Sequence, residues 1–151
     1  MNGTYSIKIT QEALRETIEL CRAAWPQEAC GILLSPSPMH KESLDPFDPP
    51  IEAVRPIANT HRDPLHSFAF DPAEWTAAYY DTQKSRQKIS GFFHSHPSSE
   101  ALPSVRDVRG YWPADDSLSY WIVSLSNLGE PVVRPFARTK DGFQPLALVF
   151  A

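Results

Sequence analysis

The sequence has little basic charge, little cysteine and no long apolar run, and each shortage removes a class of function. Fourteen Lys and Arg stand against eighteen Asp and Glu, a net charge of -4. That balance argues against a general affinity for nucleic acid, which needs a basic surface to displace phosphate counterions. No stretch approaches the roughly 18 consecutive apolar residues of a membrane span, so no membrane partner is expected. Met1 to Ile9 alternates polar and apolar residues and lacks the apolar segment of a signal peptide, which gives a cytoplasmic location as the expectation. The two cysteines, Cys21 and Cys30, lack Cys-x-x-Cys spacing and read as reduced, structural thiols. Internal repeats and a low-complexity tail are missing too.

What is present is an ordinary globular composition. With 151 residues, 42% of them hydrophobic and 21% charged, the chain is expected to form one domain over residues 1–151, as a monomer or weak homodimer. The 15 prolines cluster in loops.

Tyr5, Ile7 and Ile9 alternate as in a short edge strand. Thr10 then offers an N-cap to a helix whose Leu14, Ile18 and Cys21 share one face and which ends at Trp25-Pro26. Gln27 to Ser35 starts polar and becomes the continuous apolar run of a central strand. Ser35 to Pro50 is a proline-rich loop, and Ile51 to Ala58 an edge strand containing Pro56. Leu65 to Phe70 is expected to be a short strand. Asp71-Pro72-Ala73-Glu74 reads as a capped helix start, with Trp75, Ala78, Tyr79 and Thr82 expected to face inward. Ile89 to His96 is a strand in which Gly91 allows close packing, Ser104 to Trp112 a short helix, and Leu118 to Leu125 a second buried strand. Asp115 and Asp116 read as turn residues. Val132 to Arg138 and Phe143 to Phe150 flank Asp141-Gly142 as a hairpin. The order predicts an α/β fold: a single mixed, mostly antiparallel sheet flanked by two long helices and one short one.

Chemistry concentrates in Gly91-Phe92-Phe93-His94-Ser95-His96-Pro97. In a strand, His94 and His96 share a face, and Ser95 points the other way into a structural position. A His-x-His pair alone is commonly a pair of hydrogen-bonded or surface histidines. Asp107, however, follows 11 residues after His96, in the first turn of a helix opened by Ser104. Two imidazoles and one carboxylate leave a fourth tetrahedral position open, the layout of a catalytic zinc site. His61 and His66 have no partner at ligand spacing and are read as loop or strand-face residues.

Glu28 ahead of Ala29-Cys30-Gly31, then His94-x-His96-Pro97, seven intervening residues, Ser104, two more and Asp107, resembles the motif of the JAMM (MPN+) metalloprotease family, a Glu followed at a distance by H-x-H-x(7)-S-x(2)-D. Every motif position is filled, and the resemblance extends over most of residues 5–125. It implies the JAMM/MPN architecture, which is cytidine-deaminase-like. It also implies that His94, His96 and Asp107 bind zinc, that Glu28 is the catalytic base, and that Ser104 is the donor to the developing oxyanion. The implied substrate is an amide at the C-terminal glycine of a ubiquitin-like or sulfur-carrier protein ending in Gly-Gly, and the chain's size suits a compact prokaryotic enzyme. Two other readings stand beside it. One is a non-catalytic MPN-type binding module, against which the full ligand set argues. The other is a different zinc hydrolase such as a deaminase, whose Pro-Cys-x-x-Cys pair is missing.

Overall fold

The computed structural model describes residues 5–37, 44–110 and 115–151. In chain order the elements are β1 (Ser6–Ile9), α1 (Gln11–Ala24), β2 (Cys30–Pro36), β3 (Ala53–Ile57), α2 (Pro72–Lys84), β4 (Gln87–His96), α3 (Val105–Arg109), β5 (Ser119–Ser124), β6 (Val132–Thr139), β7 (Gly142–Pro145) and β8 (Ala147–Phe150). Six strands form a sheet in the order β3-β2-β4-β5-β6-β7. All its neighbours are antiparallel except β4 and β5, which run parallel and are joined by the crossover that carries α3. This is the mixed α/β fold that the sequence predicts, with two long helices and one short one. The chain's ends add a two-stranded parallel pair, β1 with β8.

Each helix begins where its cap chemistry dictates. Thr10 Oγ1 accepts from Ala13 N at 3.1 Å, and Asp71 Oδ2 accepts from Glu74 N at 2.9 Å with Pro72 in the first turn. Glu74 was expected to complete a capping box; its Oε1 instead accepts from Ala58 N at 3.2 Å and ties the helix to the end of β3.

The alternation of the strands separates two faces. Leu33 of β2, Phe93 of β4, and Trp121 and Val123 of β5 pack with Ala13 and Cys21 of α1 in the largest core. On the opposite face Ile32 and Leu34 pack with Ala78 of α2, and Phe92 lies against them. Phe93 and Trp121 are fully buried, worth about 1.5–3 kcal/mol for each large side chain of this kind. Both thiols lie in this interior, free and buried, and burial pushes each up to about 12, so they stay protonated packing groups.

Further expectations are corrected. Leu65 to Phe70 forms no strand: it is a turn-rich segment with a single bridge, Asn59 to Phe70. Phe143 to Phe150 is broken at Leu146, which is buried and donates its N–H to Pro135 O at 2.9 Å. Beyond it the chain leaves the main sheet to pair with β1. Tyr79 does not face inward; it is 45% exposed, while Ala78 and Thr82 are buried. Asp115 is a turn residue as expected, its Oδ1 accepting from Ser117 N at 2.8 Å. The short helix, expected to run to Trp112, ends at Arg109 with Gly110 as its C-cap; Trp112 itself and the tip of the proline-rich loop lie outside the described residues.

Gly91 does provide close packing. A Cβ there would lie 2.5 Å from Ser119 Oγ and 2.9 Å from Ser119 O, on the strand that carries the histidines. Gly91→Ala is therefore expected to cost about 1–3 kcal/mol by overpacking; chemical denaturation measures this, and an unchanged midpoint contradicts it.

Candidate metal centre

The antiparallel pairing of β2 with β4 sets Cys30 opposite His94. Glu28, 66 residues upstream of His94, thereby reaches the sheet end where His94 and His96 stand. Strand alternation turns both imidazoles to the α2 face beside Phe92 and sends Ser95 to the α1 face. Ser95 Oγ accepts from Ala29 N at 2.8 Å, and Ala29 O accepts from Ser95 N at 3.0 Å. The residue between the histidines thus locks the register that brings Glu28 alongside.

The third group comes from the crossover. Ser104 and Asp107 form a reciprocal capping box: Ser104 Oγ accepts from Asp107 N at 3.1 Å, and Asp107 Oδ2 accepts from Ser104 N at 2.8 Å. Asp107 is held with Oδ1 3.1 Å from His94 Nε2 and Oδ2 3.1 Å from His96 Nε2, and the two Nε2 atoms are 3.1 Å apart. All three side chains are buried, and among the described residues no other His, Cys, Asp or Glu trio brings ligand atoms together in this way.

The donor set fits a metal ion. Tetrahedral ligands about 2.0–2.1 Å from zinc stand about 3.3–3.4 Å from one another, close to the observed 3.1 Å edges. Glu100 O accepts from His96 Nδ1 at 2.7 Å, which fixes the proton on that nitrogen and leaves Nε2 of the neutral ring as a lone pair facing the triangle. A lone pair and carboxylate oxygens converging in a buried space call for a cation.

The charges are strongly coupled. Where the imidazoles carry protons on Nε2, with no metal between them, burial alone would raise the Asp107 carboxyl, but hydrogen bonds from both histidines and from Ser104 N prevail and hold it below the usual carboxylate range. Burial lowers His94. It also pulls on His96, where Asp107, the Glu100 carbonyl and Glu28 outweigh it and the net direction is upward. Glu28 is buried, and burial pushes its carboxyl up to about 7; His96 and Arg106 oppose the rise and Asp107 and Asp63 add to it. A cleft of about 890 Å³ opens against Asp107, with Phe68, Phe70, Trp75 and Phe92 on one side and Arg62, Arg106 and Arg109 among its other lining residues.

A family model described as prokaryotic homologs of the JAB domain matches residues 10–138. The chain belongs to this family. It is 29% identical over 89 residues to a desampylase of Haloferax volcanii, covering 58% of each chain. A probable TtuB-protein conjugate cleaving protease of Thermus thermophilus is 34% identical over 59 residues, 39% of this chain and 40% of that one. The matched stretches thus span less than two thirds of these two relatives. A desampylase of Pyrococcus furiosus is 28% identical over 128 residues, 79% of this chain and 82% of that one. A solved protein of Desulfitobacterium hafniense superposes with a TM-score of 0.79 at 34% identity, over 96% of this chain and 92% of that chain. A JAB1/MPN domain protein of Archaeoglobus fulgidus shares the fold, with a TM-score of 0.52 at 20% identity over 95% of this chain and 98% of that one.

All five JAB-motif positions named from the sequence lie at this one end of the sheet, and His61 and His66 stay outside the trio, engaged with Asp63 in the loop. Sequence reasoning missed Phe68, whose ring stacks on His94 at 4.6 Å between centroids. It also missed Asn59, because no spacing or periodicity signals a side chain that bonds a distant backbone. Ser95→Ala is expected to cost about 1–3 kcal/mol, since Ala29 N loses its acceptor. Chemical denaturation checks this, and wild-type stability would show that the bond is dispensable.

Proposed function

We propose that this chain is a single-domain, zinc-dependent isopeptidase or peptidase that hydrolyses an amide bond at the C-terminal glycine of a ubiquitin-like or sulfur-carrier protein. We place it in the cytoplasm, as a monomer or weak homodimer. The observation that carries the reading is geometric: Glu28, a buried carboxyl, stands at the same sheet end as the buried trio His94, His96 and Asp107, and Asp107 lines an open cleft. Relatives named for desampylation and for cleaving TtuB conjugates support the substrate class.

In this reading His94, His96 and Asp107 hold the metal, with Glu100 O orienting His96 and Ser104 orienting Asp107. Zinc bound there would supply a Lewis acid that brings the pKa of water toward 7 and polarises the scissile carbonyl. Glu28 takes the proton from the attacking water, keeps it on its carboxyl and delivers it to the departing amine. A carboxyl near 7 suits both transfers, because neither protonation state is strongly disfavoured at neutral pH. Ser104 Oγ accepts from Asp107 N, so its own hydrogen is free to be donated to the oxyanion that develops on the substrate carbonyl. The aromatic wall of the cleft holds the chain of the substrate and limits the entry of water.

The test is zinc content and cleavage of a ubiquitin-like protein fused through its C-terminal Gly-Gly to a reporter. Glu28→Gln is expected to keep one equivalent of zinc and to lose about 10²–10⁴-fold in kcat. His96→Ala loses the zinc and the activity together. Full activity in either variant contradicts the mechanism. Ser104→Ala is expected to lower kcat about 10²–10³-fold as an oxyanion donor and to cost about 1 kcal/mol as a helix cap; a stability loss with unchanged kcat would leave Ser104 only the cap.

A further inference from the structure

The segment between β3 and α2 touches the site at three places. Pro64 O accepts from Glu28 N at 2.7 Å. Phe68 stacks on His94. Asp63 Oδ2 and Ser67 Oγ accept from Arg106, the neighbour of Asp107, at 2.9 and 2.5 Å. What fixes this segment in one shape is Asn59. Its Oδ1 accepts from His61 N and Ala69 N, each at 3.0 Å. Its Nδ2 donates to Ser67 O and to Glu28 O, each at 3.0 Å. A side-chain amide has two donor hydrogens and two acceptor lone pairs, so its capacity is fully used. The opposite amide orientation would set hydrogens against hydrogens and oxygen against oxygens.

Three of these bonds fold the segment on itself, and the fourth leaves it for the backbone of Glu28. Glu28 lies just before β2, so no strand ladder holds it. Its N–H goes to Pro64 and its C=O to Asn59, so both of its main-chain polar groups are held by the segment that Asn59 organises. Its carboxylate, in contrast, makes no hydrogen bond to a described residue and takes its direction from the main chain beneath it.

We infer that Asn59 is a positioning residue for Glu28, setting where the base stands relative to His94, His96 and Asp107. This rests on the reading of Glu28 as the base. Aspartate at this position would keep both acceptor bonds of the turn but would set an oxygen against Glu28 O and Ser67 O, so it removes the tie to Glu28 together with one of the three bonds within the loop, and a second loop variant is needed to tell the two apart.

The experiment compares wild type, Asn59→Asp, Asn59→Ser and Thr60→Val, each loaded with zinc. Thr60→Val removes a bond from Oγ1 to Ala69 O, 3.3 Å in length, that belongs to the same loop and does not touch Glu28. Two readouts are taken: cleavage kinetics on the Gly-Gly fusion, and amide hydrogen exchange at Glu28. Asn59→Asp is expected to bind wild-type zinc, to lose about 10–100-fold in kcat with KM within about twofold, and to exchange the Glu28 amide at least about tenfold faster, with His94 unchanged. Thr60→Val matches wild type in both. The assignment is overturned if Asn59→Asp keeps wild-type kcat, if its loss lies in KM, if Glu28 exchange does not change, or if Thr60→Val loses as much. Failure of both Asn59 variants to fold makes Asn59 merely structural and overturns it too. An inactive wild type with faster Glu28 exchange in Asn59→Asp would refute the base and leave the tie standing.

Discussion

The fold turns on a cluster in which two imidazole nitrogens stand 3.1 Å apart and each meets its own oxygen of one carboxylate at 3.1 Å, all brought together out of water. Such convergence is costly unless each group is held independently, because lone pairs and charge repel or demand partners once desolvated. Two of the groups ride on a strand paired on both sides. The third rides on a five-residue helix too short to hold itself, and here the capping box matters most. Asp107 serves both as helix cap and as triangle vertex through the same Oδ2 atom.

The two faces of β4 divide the work. On the α1 face Phe93 and Ser95 are fully buried, Phe93 in the core that holds the Cys21 thiol. On the α2 face Phe92 lines a cleft that Asp107 also borders, and His94 and His96 lie on the same face of the strand. A strand packed on the other side holds the two histidines in place, since the cost of ordering them is met by packing behind them. Glu28 completes the arrangement from just before β2, whose register with β4 is set by the paired bonds of Ala29 with Ser95.

Most of this was legible in the chain because it rests on local rules. Period-two alternation gave the shared face of the histidines, and cap chemistry gave the starts of all three helices. The failures have separate causes. At Leu65 to Phe70 the backbone bonds go to a side chain, with Ala69 N on Asn59 Oδ1, and hydrophobic pattern carries no trace of that. At Phe143 to Phe150 the apolar residues are real, but the strand changes partner at Leu146 from β6 to β1, a fact of topology. Tyr79 sits one position from Ala78 on α2, close enough to the buried face for spacing alone to misplace it. Glu28 was found only through the family motif; nothing local distinguishes it from any polar residue before a strand.

X-ray absorption at the zinc edge of the metal-loaded chain tests the centre most directly. It should show one zinc with two imidazole nitrogens and one carboxylate oxygen at about 2.0–2.1 Å, and a fourth light ligand that exchanges with added anions. A sulfur neighbour, four protein ligands, or zinc bound equally well by the His94→Ala variant would contradict an open site built from His94, His96 and Asp107.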